Sequence, residues 1–127
     1  MRGIILAAGL LLAGPALAQN CADPQTQTDM NICSYRDFQK ADAALNASYR
    51  ALLGKISPAG QTKLRQAERD WVSYRDAQCG FETMGTQGGT IHPLVRNQCE
   101  TALTEAQTKR LEAQLHCQEG DVSCGGQ

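Results

Sequence analysis

Apolar side chains recur along the middle of the chain at steps of three and four residues, the spacing of one face of an α-helix. Met30, Cys33, Phe38, Ala41, Leu45, Tyr49, Leu52 and Ile56 trace such a stripe and predict a first helix over residues 29–53. Thr28 is expected to cap its start, Asp29 suits the positive end of the helix dipole, and Gly54 offers a left-handed stop. Ser57-Pro58 then reads as an N-cap followed by proline at the first helical position, where the missing N–H costs nothing. The second helix runs to about Cys79. Leu64, Ala67, Trp71, Tyr74 and Gln78 are placed on its inward face, with Lys63, Arg65, Glu68, Arg69, Asp70 and Asp76 on the sides and outside. A third helix opens near Pro93 and runs to about Cys117. Its core face is expected to hold Leu94, Val95, Cys99, Ala102, Leu103, Ala106, Leu111 and Leu115. Between the last two helices, residues 80–90 carry glycines and little periodicity and read as a flexible loop. Loops of that length inside compact domains are often functional.

Short connections place consecutive helices side by side in alternating direction, so the expected fold is all-α, a small antiparallel three-helix bundle. The first eighteen residues stand outside it. Arg2 supplies a positive start, residues 4–12 an uncharged apolar run, and Ala16-Leu17-Ala18 a small-x-small cleavage site. That is the pattern of a secretory signal peptide cut before Gln19, and it places the mature chain in the periplasm or outside the cell. The apolar run falls short of the roughly 20 residues that cross a bilayer, so no membrane span is expected. Gln19-Asn20 before Cys21 disfavours lipoprotein processing. Residues 19–127 then form a single domain with a short flexible C-terminal tail.

All six cysteines, Cys21, Cys33, Cys79, Cys99, Cys117 and Cys124, lie after the cut. An even count in a short exported chain reads as a disulfide framework. The set holds no close Cys-x-x-Cys pair, and His92 and His116 stand apart from ligand-like spacing, so no metal or other cofactor is expected. Spacing favours Cys21 with Cys33, Cys79 with Cys99, and Cys117 with Cys124, while a Cys33–Cys79 bond stays open as an alternative.

The formal charge of −1 falls to −2 once Arg2 leaves, because residues 1–18 hold no other charge. Without a basic stripe, nucleic acid is not an expected partner. A catalytic reading has little to stand on either. Nucleophilic hydrolysis needs a Ser or Cys beside a positioned base, and the cysteines are expected to be oxidised. Carboxylate pairs such as Asp37 with Asp42, or Glu82 with Glu100, are ordinary on helix surfaces. No catalytic residue is therefore assigned, and the chain reads as a binding protein. The densest informative stretch is 69–79, where Trp71 reads as the main core anchor with Tyr74 beside it. Arg75 is suited to bidentate pairing with a carboxylate such as Asp42.

Cys21, Thr28, Met30-Asn31-x-Cys33, Ala41-Asp42-x-x-Leu45-Asn46-x-x-Tyr49, Leu64 and Trp71-x-x-Tyr74-Arg75-Asp76-x-x-Cys79 together carry a family pattern. It resembles the N-terminal domain of the LprI-type lysozyme inhibitors, from Cys21 to about Leu115. The resemblance implies a helical exported domain that inhibits lysozyme, with Asp42, Asn46, Tyr49, Trp71, Tyr74, Arg75 and Asp76 as its structural motif. Cys117 and Cys124 look like an addition to that pattern. On this reading the partner is a protein, a lysozyme or a related peptidoglycan-cleaving enzyme, and the 80–90 loop enters its cleft. Phe81, Glu82, Met84, Thr90 and His92 are the candidate binding residues. A non-inhibitory envelope accessory protein is the alternative, and a peptidoglycan-active enzyme the weakest one.

Overall fold

The computed structural model describes residues 20–124 and 126, so the expected leader at residues 1–18 lies outside the described residues. Helix α1 spans Gln27–Leu53, α2 Pro58–Glu82 and α3 His92–Leu115, with a 3-10 turn at Met84–Thr86 between the last two. Among the described residues there is no strand, and the fold is the all-α, disulfide-stapled bundle expected.

The helix ends follow local chemistry, with two corrections. Thr26, not Thr28, caps α1, its hydroxyl accepting from the Asp29 amide at 3.0 Å. Gly54 ends the helix in right-handed backbone at φ −72°, its N–H donating to Arg50 O, so no left-handed stop is made. Ser57 caps α2 as read, accepting from Gly60 N at 3.2 Å with Pro58 in the first turn.

Polar contacts fix the helix directions. Asn97 Nδ2 near the start of α3 donates to Ser34 Oγ at 3.0 Å near the start of α1. At the other end Lys55 Nζ donates to Leu115 O at 3.3 Å. The two helices therefore run the same way, and α2 reverses between them, with Gln61 Nε2 donating back to Leu53 O at 2.9 Å. The closest backbone approach is between α1 and α3. Small side chains permit it: Ala41 and Ser34 on α1, Thr104 and Thr108 on α3, all buried. On α3 the core face is thus rotated from the expected one, since Ala102 and Ala106 are exposed and the two threonines are inside. Thr108 Oγ1 satisfies itself on Thr104 O at 3.0 Å, which makes a buried hydroxyl tolerable.

Helix α2 stands farther off and reaches the others with long side chains. Leu45, Leu52 and Leu111 form the buried centre, and Tyr49, Ile56, Leu64, Trp71 and Leu115 pack against it. The inward stripe of α2 runs through Leu64, Glu68, Trp71, Arg75 and Cys79, one position on from the expected Ala67 and Tyr74. Ala67 is exposed, and Tyr74 keeps 55% of its surface exposed. The charged identities of Glu68 and Arg75 concealed the true face, because charged side chains rarely turn inward unless paired, as Arg75 is with Asp42 and Asp76.

The three bridges join Cys21 to Cys33, Cys79 to Cys99 and Cys117 to Cys124, with Cα separations of 5.5, 5.7 and 6.0 Å. These are the pairs that spacing favoured, and the Cys33–Cys79 alternative is not formed. Beyond α3, Gln114 Nε2 holds Ser123 O at 2.9 Å. Ser123 donates from both its hydroxyl and its amide to Asp121, holding that carboxyl below its ordinary range. Gly126 O then accepts from Ser57 N at 3.0 Å, packed so closely on Gly60 that a Cβ there would come within 2.5 Å of it.

Candidate functional site

Two places gather the residues singled out in the sequence. The first is the gap between α1 and α2. Arg75, only 8% exposed, sends Nη1 to within 3.7 Å of Asp42 Oδ1 and Nη2 to within 2.9 Å of Asp76 Oδ1. Its Nε also donates to Asp76 Oδ1 at 3.0 Å. The guanidinium lies over the Phe38 ring at 5.2 Å and over the Trp71 ring at 5.3 Å. Asn46 Nδ2 donates to Asp42 Oδ2 at 3.2 Å, and Tyr49 packs on the leucine core one turn further along. A planar cation that can stack and fork at once is what this gap requires.

Glu68 belongs to the same neighbourhood and was not anticipated. Burial of its half-buried carboxyl raises its pKa above the ordinary 4.5, the Arg75 charge pulls it down, and Asp42 pushes it up again. Its Oε2 is buried without a hydrogen-bond partner. Phe38 was read as core, and its place under Arg75 was likewise unforeseen. The signal that could have found Glu68 is the run of Leu64, Glu68, Trp71, Arg75 and Cys79 at steps of three and four, one stripe of α2. Of the motif side chains Tyr74 and Asp76 are exposed; Asp76 is held by Arg75, and Tyr74 lies on the outer face of α2.

The second place is the tip of the bundle between Cys79 and Cys99. Helix α2 continues past Cys79 to Glu82, and Thr83 Oγ1 closes it by donating to Cys79 O at 2.6 Å. Phe81 and Glu82 are thus helical, and the predicted flexible loop is shorter and hydrogen-bonded throughout. Thr86 N donates to Thr83 O, Gly89 N to Thr86 O and His92 N to Gly89 O, with Gly88 at φ 82° making the one left-handed step of this segment. Thr86 Oγ1 lies 3.0 Å from His92 Nδ1, and Asn31 Nδ2 on α1 donates to Thr90 O at 3.0 Å. The five candidate binding residues therefore divide. Thr90 and His92 tie the tip down, while Phe81 and Met84, 70% and 63% exposed, project from it. Glu82 is exposed and accepts from Gln78 Nε2 at 2.7 Å.

Among the described residues, no group of three or more His, Cys, Asp or Glu side chains could hold a metal ion, and no helix is long and apolar enough to cross a membrane. Fold and site together define a small, stapled helical scaffold that presents an ordered apolar tip. The chain belongs to the LprI lysozyme inhibitor family, whose profile, described as "Lysozyme inhibitor LprI", matches residues 18–111. It is 34% identical over 131 residues to an uncharacterized protein of Rhizobium meliloti (strain 1021), covering 88% of this chain and 94% of that protein. No solved structure matches it.

Proposed function

We propose that the chain is exported, loses residues 1–18, and inhibits a lysozyme or related peptidoglycan-cleaving enzyme by placing the tip around Phe81 and Met84 in its cleft. One observation carries this reading beyond family membership. Two large apolar side chains sit exposed on a turn pinned by the Cys79–Cys99 bridge, the Thr86–His92 contact and the Asn31–Thr90 hydrogen bond. Exposed apolar groups on an ordered tip are suited to filling a recess, because little chain entropy remains to be lost on binding. The chain's own chemistry on this reading is binding, with no catalytic residue, and its partner is a protein.

The test is titration of the oxidised, periplasm-purified protein into a cell-wall turbidity assay with lysozymes of several classes. The expected result is near-stoichiometric loss of lysis with at least one of them, weakened by Phe81→Ala or Met84→Ala. Undiminished lysis at large excess with every class would overturn the reading and leave the accessory-protein alternative.

A further inference from the structure

Resting on the inhibitor reading of the tip, we propose that the binding surface continues from Phe81 down the outer face of α2 to Tyr74, and that it docks on a cationic rim beside the partner's cleft. Tyr74, Ala77 and Phe81 are all exposed and fall at steps of three and four, so they share one side of the helix, with Met84 continuing it into the turn. Seven residues separate Tyr74 from Phe81, about 10 Å along the axis, enough to follow the edge of a cleft while the tip enters it. Tyrosine offers a large amphipathic ring and is enriched at the centre of protein interfaces. Tyr74 sits one residue from the buried Arg75, so the helix beneath it is locked by the Asp42 and Asp76 pairs and the two stacked rings.

Charge selects the partner. Asp70 lies on the same side one turn before Tyr74, and Glu82 is exposed beside Phe81. From Asp76 to Val95 the sequence holds neither lysine nor arginine. The next cation, Arg96, is paired within its own helix to Glu100 at 2.9 Å. The last turn of α2 has no basic residue of its own, and the one cation that reaches it, Arg96 Nη1 at 3.9 Å from where a Cβ on Gly80 would stand, belongs to the side chain already paired with Glu100. An apolar stripe with this charge calls for lysine and arginine on the opposing surface.

The experiment measures the Kd of the periplasm-purified protein for a cationic chicken-type lysozyme by calorimetry, at about 0.05 and about 0.3 M salt. Tyr74→Ala should weaken binding about tenfold at unchanged thermal stability, as loss of an interface anchor does. Asp70→Asn should flatten the salt dependence, and Val122→Ala, on the tail, should leave Kd alone. If Tyr74→Ala stays within about twofold of the wild type while Phe81→Ala weakens binding, the contact is confined to the tip. The extended surface then falls and the inhibitor reading stands. If the wild-type protein binds neither this lysozyme nor those of the turbidity assay, both fall together.

Discussion

Arg75 shows how one side chain can join two helices whose backbones stay apart. Its charge is shared between Asp42 and Asp76, both half-exposed, and its faces are covered by Phe38 and Trp71. Arg75→Ala should cost about 2–4 kcal/mol in urea unfolding, since it empties the space between the rings and leaves two carboxylates facing each other. Arg75→Lys keeps the charge but loses the planar fork, and should recover less than half of that. Full recovery by lysine would mean that the charge alone matters. Glu68 makes the opposite kind of prediction. Its pKa is raised in the folded state, so the native protein holds this proton more tightly than the unfolded chain does. Stability from the neutral form is complete below about 4.5 and is lost as pH rises through the folded-state value. Glu68→Gln should therefore be at least as stable as the wild type at about pH 7, with the gap closing near pH 4. Parallel pH profiles of the urea midpoint for the two proteins would exclude this. The pairing of Arg75 with Asp42 was legible from residue types. Glu68 was not, because nothing in a carboxylate's identity says that a neighbouring helix will cover it.

Among the elements, the helices were legible and their rotations were not. Three-residue and four-residue apolar steps located all three, and Ser57-Pro58 marked the start of α2. The tip was misjudged because Gly80 reads as a breaker. In the chain it sits beside a bridged Cys79 and under the Thr83 cap, which together outweigh a glycine penalty of at most about 1 kcal/mol. On α3, Thr104 and Thr108 stand inside in place of the expected alanines, small enough for the close approach to α1; Thr108 satisfies its hydroxyl on Thr104 O, while Thr104 Oγ1 is buried without a partner. The bridges can be ranked on the same scale. Cys79 and Cys99 are 20 residues apart and Cys117 and Cys124 only 7, so chain entropy assigns about 3.3 and about 2.5 kcal/mol to them. Replacing the first pair with alanines should lower Tm more than replacing the second, and should speed amide exchange at Thr86, Gly89 and His92. Equal Tm losses with a still-protected tip would show that the turn's own hydrogen bonds suffice.

For the whole molecule, the question is what keeps so little core folded. Among the described residues, the large apolar side chains of the buried centre are Leu45, Leu52 and Leu111, and burying each contributes about 1.5–3 kcal/mol. Half-buried neighbours add to this, yet the conformational entropy of a domain this size is of order 100 kcal/mol, and domain stability is a small remainder. Three bridges worth about 2–4 kcal/mol each are comparable to that entire remainder. They also fall at separate places: the first strap, the tip and the tail. Full reduction should therefore unfold the protein in one cooperative step at temperatures where the oxidised form is intact. On the proposed inhibitor reading, inhibition of a lysozyme should disappear with helicity, at the same reductant concentration. Circular dichroism and turbidity followed on one sample would check the coincidence. A reduced protein that kept its helices and lost only activity would place the requirement at the tip bridge alone, with the rest of the bundle sustained by its packing and by the Arg75 cluster.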